Sequence, residues 1–297
     1  MSAVADAGPV LAVLAAGRAR RYGGVKPLAP VGPAGEAVLD LLCSDALAAG
    51  FSAVVLVIGP HTGPAIRYHV ERTWPDSVDV RFALQEAPLG TVDAVLAASP
   101  HLDPGAPYGV CNADDLYPFE ALTLLADHLR QDPGTQALVG FSLAGAVLGD
   151  GPVTRGVCET DEEGMLRTIV ERRQVSAVGD GRFVAKDGLT PSELDGDALV
   201  SLNLWGFGPE MPAVLGAAMA EAKQVSEENE VLLPEVVGDV VQGRGPGGLA
   251  AAPFKVLPTD GRCIGVTHPE DLALAQAEVA AQVGTGQRPA LLWSAER

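Results

Sequence analysis

The sequence has few cysteines, and none of them stands in a metal-binding pattern. Its 297 residues include four cysteines, which lie singly, without a Cys-x-x-Cys pair and without cysteine–histidine ligand spacing. A structural zinc site is therefore not expected. Isolated cysteines of this kind are typical of a reducing compartment, so we expect a cytoplasmic protein.

Basic residues and long hydrophobic runs are also scarce. Twenty lysines and arginines stand against 38 acidic residues, which gives a formal charge of −18. This balance argues against nucleic acid or an anionic membrane as a partner, because both are bound through concentrated cations. No stretch reaches the roughly 18 apolar residues of a membrane span, and the short apolar start lacks a basic leader, so no signal peptide is expected. Hydrophobic residues still make up 47% of the chain, enough for a substantial core.

One stretch departs from this acidic background. No acidic residue occurs between Val10 and Gly35, where a buried-strand pattern leads into a loop that contains Gly17, Gly23 and Gly24. The cations of this loop are Arg18, Arg20, Arg21 and Lys26. Glycine backbone and clustered cations are what a polyphosphate requires, although the spacing matches neither a Walker A loop nor a dinucleotide turn. We expect a polyphosphate-binding loop; the alternative is a solvated basic loop.

The order of the elements predicts the fold class. Strand-like and helix-like segments alternate, which indicates an α/β fold with a mixed, mostly parallel sheet flanked by helices. The alternation ends after about residue 148, where the strand patterns Gly156–Thr160 and Leu166–Val170 flank a turn at residues 161–164 and indicate a hairpin. We expect a single domain over residues 1–283, with a regular half of about 1–148 and an irregular half of about 149–283 in one sheet. Residues 284–297 are expected to form a loose tail.

Two adjacent carboxylates follow an apolar strand. Asp114 and Asp115 come directly after the pattern Tyr108–Cys111. Ligands of open α/β sheets bind beyond the carboxyl ends of the strands, and carboxylates there can hold Mg²⁺ against phosphate oxygens. The alternative is an Asx turn that caps the next helix. We assign the metal role to Asp114 and a supporting or structural role to Asp115.

Polar residues at three further places are candidates for ligand binding. Gln85, followed by Gly90 and Thr91, offers a side-chain amide and a tight turn that suit a flat heterocycle. Glu171 follows a strand pattern. Asn203 lies in an apolar strand, where its amide must be satisfied either by the backbone or by a ligand; the sequence leaves both open.

Taken together, these motifs resemble those of the sugar-phosphate nucleotidylyltransferases, the NDP-sugar pyrophosphorylase family. Leu14-Ala15-Ala16-Gly17, with Arg21 and Lys26 downstream, is similar to the signature L-A-A-G-x-G-x-R…K-P-L. The resemblance covers about residues 10–280 and implies a Rossmann-like GT-A-type fold and an enzyme of the nucleotidyltransferase class. It implies that the regular half binds nucleotide and the irregular half binds the acceptor, and that the partners are an NTP and a phosphorylated sugar or cyclitol. The irregular half could also supply a homodimer contact.

The resemblance also implies roles for individual residues. The catalytic set is Arg21, Lys26 and Asp114. The nucleotide-binding set is Leu14, Ala15, Ala16, Gly17, Arg18, Gln85, Gly90 and Thr91. The acceptor-binding set is Gly156, Glu171, Arg172 and Asn203. The implied cofactor is Mg²⁺ on Asp114, and a second ligand would come from the segment at Thr267, which also reads as a capping box with Glu270.

The sequence departs from the family pattern at Ala19, where the signature has its second glycine. Two rival functions stay open, one because it shares the nucleotide-binding architecture and the other because of Ala19 and Thr267. One is a GT-A-type glycosyltransferase, although Asp114-Asp115 lacks the spacer of its D-x-D motif. The other is a catalytically inactive regulatory protein that binds a nucleotide or a sugar phosphate. The nucleobase and the acceptor are not determined by the sequence.

Overall fold

The computed structural model describes residues 8–17, 23–147, 151–265, 271–289 and 292–293. Strands are numbered in chain order: β1 Val10–Leu14, β2 Ala53–Ile58, β3 Val80–Leu84, β4 Tyr108–Asn112, β5 Asp115–Leu116, β6 Gln136–Ser142, β7 Val153–Thr160, β8 Leu166–Gly179, β9 Arg182–Val184, β10 Glu193–Asp195, β11 Leu199–Phe207, β12 Phe254–Thr259 and β13 Ile264–Gly265. The α-helices are α1 Val38–Ala48, α2 Gly63–Thr73, α3 Thr91–Ala98, α4 Phe119–Gln131, α5 Leu143–Ala146, α6 Met211–Glu221, α7 Leu233–Val241 and α8 Asp271–Gly284.

The centre of the main sheet is parallel. Its order β3-β2-β1-β4 has parallel pairing throughout, with Leu14 of β1 beside Asn112 of β4. β1 and β2 are continuous apolar runs because both of their faces are covered by helices. The chain leaves β1 toward β2 on one side, while β4 lies on the other. This is the topological switch point at which open α/β sheets bind ligands.

The second half of the chain extends the same sheet with antiparallel strands. β11 pairs antiparallel with β4, β6 and β7, and its register shifts between Ser201 and Trp205. Beyond β7 the order continues through β8 and β9 to β10. The mixed α/β sheet predicted from the sequence is thus confirmed, and both halves share it.

Two apolar layers cover the faces of the sheet. Alternate β1 side chains divide between them, since Leu11 and Val13 join one buried cluster and Val10 and Ala12 join the other. The first cluster contains α1, α2 and α4, and the second contains α3, α6 and α7. The helices cover the two faces of the sheet, and the carboxyl ends of β1 and β4 are left as the place for a candidate ligand site.

The antiparallel extension was only partly predicted. The sequence indicated a strand that ends at Val170, whereas β8 runs to Gly179, and neither β9 nor β10 was predicted. Between Glu171 and Gln174 the chain is charged or polar, so the apolar signal ends while the backbone pairing with β7 continues to Val175.

The described part of the tail is not loose, contrary to the prediction. Arg288 is buried and forms an ion pair with Asp45 of α1. The ring of Trp293 lies 4.8 Å from that of Trp74, and its backbone N–H donates to Ser44 Oγ at 2.9 Å. The tail is held because a buried guanidinium and a large aromatic ring each contact a partner on the helical layer.

None of the helices in the described ranges combines the length and the apolar composition that a membrane span requires.

Candidate functional site

The switch point brings together the first two predicted site residues. Lys26 lies in a 3-10 turn that starts with it, and Asp114 lies in the turn after β4. Lys26 Nζ is 3.5 Å from Asp114 Oδ2, and the carboxylate is the more exposed partner, with 37% of its side chain accessible against 17% for the lysine. An ammonium and a carboxylate thus face the space beyond the strand ends, as a charged ligand requires.

The loop after β1 lies beside them. Ala113 N–H donates to the carbonyl of Leu14 at 3.2 Å, which ties the carboxyl ends of β1 and β4 together. Ala15 and Ala16 are buried, whereas Gly17 is exposed, and a Cβ on Gly17 would meet nothing within 4 Å. The backbone at Gly17 is therefore open to an approaching ligand.

Asp115 has a structural environment, unlike its neighbour. Its Oδ2 accepts a hydrogen bond from Asn112 Nδ2 at 2.9 Å, and its backbone pairs with Gly265 of β13. Burial first and the charge of Asp114 second raise the pKa of Asp115 above its usual range. Asp115 is thus held within the protein, and the metal role of Asp114 stays a prediction.

Gln85 is buried beside the turn that precedes α3. Its Nε2 donates to the carbonyl of Gly90 at 3.1 Å and to Asp93 Oδ2 at 2.9 Å. Both amide hydrogens are used by these acceptors, and the Asp93 carboxylate fixes which end of the amide is nitrogen. The carbonyl oxygen of Gln85 is then the end that can accept from a base.

Gly90 and Thr91 connect this turn to the start of α7. Gly90 has φ of 112°, and a Cβ there would lie 2.3 Å from the carbonyl oxygen of Val231, so only glycine fits. Val231 N–H donates to Leu89 O at 3.0 Å, and Leu233 N–H donates to Thr91 Oγ1 at 2.8 Å. The predicted base-binding threonine therefore uses its hydroxyl oxygen within the protein.

Asn203 lies at the register shift of β11. Its φ of 59° is left-handed, a conformation that asparagine tolerates better than most residues. Its Oδ1 accepts from Trp205 Nε1 at 3.2 Å, and its Nδ2 lies 3.5 Å from Asn112 Oδ1. Its amide is therefore held by two side chains next to the end of β4, and not by the backbone, which was one of the two alternatives left open by the sequence.

Glu171 and Gly156 lie opposite each other on β8 and β7. Burial first and the charge of Glu235 second raise the pKa of Glu171, while Arg173 and Arg155 act in the other direction. A Cβ on Gly156 would lie 3.1 Å from Ile169 Cδ1, so the glycine leaves space on the strand surface beside Glu171. A carboxylate beside such a space is suited to accept hydrogen bonds from the hydroxyl groups of a ligand.

Arg172 does not belong to the site, contrary to the role implied by its motif. Its guanidinium is buried and binds Asp187 through Nε at 2.7 Å and Nη2 at 3.2 Å, and Nη2 also donates to Pro191 O at 2.8 Å. A side chain held by a carboxylate and a carbonyl is not free to reach an acceptor phosphate. Its physical role is to close the loop between β9 and β10 onto β8.

Arg155 is a site cation that the sequence reasoning missed. Its Nε and Nη2 donate to Ala146 O at 3.2 and 2.7 Å, and none of the described carboxylates lies within ion-pair distance of it. Its charge acts to lower the pKa of both Asp115 and Glu171, and it precedes Gly156 on β7. The predicted strand started at Gly156, one residue too late to draw attention to it.

Three predicted residues lie outside the described residues. Arg18 and Arg21 of the cationic loop belong to this group, as does Thr267, the position implied for a second metal ligand.

The donors present fit a magnesium ion of the kind that is shared with substrate. No group of three metal-ligating side chains occurs in the part of the chain that the structure describes. Mg²⁺ keeps several waters and often binds through one or two carboxylates and substrate phosphates, so Asp114 alone can serve as the protein ligand. Asp114 Oδ2 already lies 3.5 Å from the Lys26 ammonium, so its carboxylate faces a cation in this structure.

Part of the chain matches a known family and known proteins. Residues 11–147 match the family model of the MobA-like NTP transferase domain. The bifunctional protein GlmU of Burkholderia thailandensis is 34% identical over 168 residues, which are 56% of this chain and 34% of that protein. GlmU of Paraburkholderia phymatum is 32% identical over 168 residues, with the same shares of 56% and 34%. The match thus spans about a third of the length of these relatives.

Solved structures share the fold over nearly the whole chain. UDP-glucose pyrophosphorylase complexed with UDP-glucose has a TM-score of 0.65 at 16% identity, over 92% of this chain and 99% of that one. HddC from Yersinia pseudotuberculosis complexed with GMP-PN has a TM-score of 0.60 at 15% identity, over 91% and 99%. The predicted Rossmann-like nucleotidyltransferase fold is confirmed. The matched domain, the curated relatives and the shared fold thus make this chain similar to sugar-phosphate nucleotidyltransferases, with a match to the MobA-like NTP transferase domain at residues 11–147.

Proposed function

We propose that this protein transfers a nucleoside monophosphate from an NTP to a phosphorylated sugar or cyclitol. The observation that carries the proposal is the Lys26–Asp114 pair, 3.5 Å apart at the switch point of a nucleotidyltransferase fold. A cation and a metal-binding carboxylate at this position suit a triphosphate. The named ligands of the neighbouring structures, UDP-glucose and GMP-PN, support a nucleotide as a ligand of this fold.

The reaction needs no protein nucleophile. A phosphate oxygen of the acceptor forms a bond to the α-phosphorus of the NTP, the bond from that phosphorus to the bridging oxygen breaks, and pyrophosphate leaves. Such a transfer depends on positioning and on stabilisation of phosphate charge. Lys26 holds the α-phosphate and stabilises the charge that develops on it. Arg18 and Arg21 are proposed to hold the departing β- and γ-phosphates.

Mg²⁺ is the proposed cofactor, and Asp114 is the residue that would hold it. When bound, the ion would neutralise phosphate charge. Asp115, bonded to Asn112, would position the turn that carries Asp114.

The remaining residues are proposed to divide between base and acceptor. Leu14, Ala15, Ala16 and Gly17 form the wall beside the nucleotide. Gln85 would read the base through its carbonyl oxygen, because its amide hydrogens are held by Gly90 and Asp93. An acceptor atom of this kind requires an N–H donor on the base. On the opposite side, Glu171 and Asn203 would face the acceptor, with Gly156 beneath it.

The proposal is tested by pyrophosphate release from the full-length protein with Mg²⁺. Each of ATP, CTP, GTP, UTP and dTTP is combined with panels of hexose 1-phosphates, cyclitol phosphates and polyol phosphates. We expect release with one NTP class only when a matching acceptor phosphate is present, and mass spectrometry should show the coupled diphosphate product.

Two other outcomes would overturn the proposal. Binding of an NTP or a sugar phosphate by calorimetry, without turnover for any pair, would indicate a regulatory binding protein. Transfer of sugar from an NDP-sugar with release of NDP would indicate a glycosyltransferase. The chain shows less support for the glycosyltransferase, since Asp115 is held by Asn112 and leaves no second exposed carboxylate in the turn.

A further inference from the structure

The acceptor in the proposed reaction carries a phosphate, and the acceptor side of the site needs a cation to bind it. Arg172, which the sequence motif implies for this side, is buried and paired with Asp187. In the register of β7 with β8, Arg155 stands directly across from Arg172. The two arginines can therefore be compared as candidates for the same phosphate.

The guanidinium of Arg155 is oriented by carbonyl groups and not by a carboxylate. Its Nε and Nη2 donate to Ala146 O at 3.2 and 2.7 Å, and its Nη1 donates to Thr154 O at 2.8 Å. Within the described residues, these bonds use three of the five N–H groups of the guanidinium and leave one on each terminal nitrogen. Two such N–H groups form the fork with which arginine binds two oxygens of one phosphate.

A half-buried arginine without a carboxylate partner is unusual in the described part of this acidic chain. The arginines that pair with a carboxylate are Arg81, Arg130, Arg167, Arg172, Arg182, Arg244 and Arg288. The other described arginines besides Arg155 are exposed to water, namely Arg67, Arg72, Arg173 and Arg262. Withdrawing a cation from water without a counter-charge costs free energy, and a bound anion would remove that cost.

The strand β11 connects the nucleotide half of the sheet to the acceptor half. Its Trp205 pairs with Val110 of β4, and its Ser201 pairs with Gly156 of β7. β6 pairs with both Trp205 and Ser201, through residues only two positions apart, or roughly 7 Å, and so occupies the other edge of β11. Because a strand has two edges, β4 and β7 follow each other along the remaining one. The carboxyl end of β4 therefore lies next to the start of β7.

Arg155 lies at this junction, one residue before the first pair of β7 with β11. The other side of the junction is fixed by Tyr117, whose hydroxyl donates to Leu202 O at 2.6 Å and accepts from Asn112 N–H at 3.2 Å. Leu202 is the β11 residue next to the pairing with β7. The turn that carries Asp114 is thus attached to β11 beside the strand that carries Arg155.

We propose that Arg155 binds the phosphate of the acceptor and holds it against the α-phosphate of the NTP. The inference rests on the proposed nucleotidyltransferase function and assigns within it the residue that binds the acceptor phosphate. The guanidinium fork takes two non-bridging oxygens of this phosphate, which leaves the third to form the bond to the α-phosphorus. Lys26 and Asp114 lie on the other side of the junction, where they serve the NTP.

Arg155→Gln tests this role, because glutamine keeps an N–H donor for Ala146 O and removes the charge. We expect the KM for the acceptor phosphate to rise at least about tenfold, the effect of a hydrogen bond to a charged group. The Kd for the NTP, measured by calorimetry without acceptor, should change less than twofold. Arg155→Lys keeps the charge without the fork, so its KM should lie between those of the wild type and Arg155→Gln.

The matched control is Arg167→Gln, which removes an exposed arginine of the same β7–β8 hairpin. It should keep the wild-type KM for the acceptor. A wild-type KM in Arg155→Gln, or in Arg155→Lys if the glutamine variant does not fold, would overturn the inference. A raised Kd for the NTP with an unchanged acceptor KM would also overturn it, since Arg155 would then serve the nucleotide.

Arg172→Met provides the converse comparison, because Arg172 faces Arg155 across the two strands. We expect Arg172→Met to lower the melting temperature more than Arg155→Gln does and to leave the acceptor KM within about twofold of the wild type. The reverse result, with the acceptor KM raised by Arg172→Met and not by Arg155→Gln, would assign the phosphate to Arg172 and overturn the inference.

The failure of this inference is distinguishable from that of the proposed function. If the wild-type protein releases no pyrophosphate with any NTP and acceptor phosphate, the proposed function fails and the inference fails with it. If the wild-type protein turns over, while Arg155→Gln behaves as Arg167→Gln does, only the inference fails.

Discussion

Lys26 Nζ lies 3.5 Å from Asp114 Oδ2, and the two side chains come from the turns that follow neighbouring parallel strands. The pair is partly exposed, so its attraction is screened by water and contributes less than about 1 kcal/mol to folding. A weak pair at a ligand-binding edge is suited to exchange partners. A phosphate can take the lysine and a metal ion can take the carboxylate without a large loss of stability.

The first prediction follows from this exchange. Lys26→Ala should lower kcat for pyrophosphate release by orders of magnitude, because the cation that stabilises the transferred phosphate is lost. The melting temperature should stay near that of the wild type. Lys255→Ala, at an exposed position of β12, is the control for loss of a lysine. Near-wild-type turnover of Lys26→Ala would remove Lys26 from the catalytic set.

The second prediction concerns the metal. Asp114→Asn should require at least about tenfold more Mg²⁺ for half-maximal turnover, since a neutral amide binds Mg²⁺ more weakly than a carboxylate does. The measurement is initial rate against Mg²⁺ concentration at fixed NTP, and removal of Mg²⁺ by EDTA should abolish the wild-type rate. Asp76→Asn, at an exposed surface position, serves as the control. If Asp114→Asn shows the wild-type Mg²⁺ curve, the proposed ligand is wrong.

The third prediction concerns the buried ion pair of Arg172 with Asp187, which holds the Arg172 guanidinium away from the candidate site. Arg172→Met should cost about 3–5 kcal/mol in the free energy of unfolding, because it leaves the Asp187 carboxylate without its partner. The double variant Arg172→Met with Asp187→Leu should recover part of this loss. Urea unfolding of both variants provides the measurement, and the exposed pair of Arg182 with Glu193 provides the control. A large fall in kcat with unchanged stability would return Arg172 to the site.

The ion pair of Arg172 with Asp187 should also make the free energy of unfolding depend on pH. The hydrogen bond from Arg172 holds the pKa of Asp187 well below its usual range. A depressed carboxyl pKa contributes stability above the unfolded-state value, about 4, and that contribution is lost as the pH falls through the folded-state value. Asp187→Asn should therefore lose less stability than the wild type does on acidification below about pH 4. Equal acid dependence of the two proteins would contradict this role.

The parallel core could be predicted because its signals are local. The apolar run Ser52–Ile58 predicts a buried strand, and Pro75 predicts the end of a helix over Gly63–Thr73. The structure has the strand at Ala53–Ile58 and the helix at Gly63–Thr73. The pairing of Lys26 with Asp114 was also accessible, since parallel strands place their carboxyl ends at one edge.

The rest of the site depends on contacts that are distant in sequence. The motif around Arg172 does not indicate that its guanidinium pairs with Asp187, which lies fifteen residues later in the sequence. The left-handed backbone of Asn203 arises from a register shift that strand propensity does not encode. Likewise, the hydroxyl of Thr91 meets Leu233 across 142 positions of the chain.

The last prediction concerns how the base is read. Asp93 accepts from Gln85 Nε2 at 2.9 Å, so under the proposed function the carbonyl oxygen of the amide is the end that would face a base. Asp93→Ala removes this constraint, and a rotated amide can then present either end. We expect the KM for the preferred NTP to rise about tenfold and the preference among the five nucleotides to weaken, with the acceptor KM unchanged. Asp79→Ala, which removes an exposed carboxylate paired with Arg81, is the control. An unchanged nucleotide preference in Asp93→Ala would show that Gln85 does not read the base.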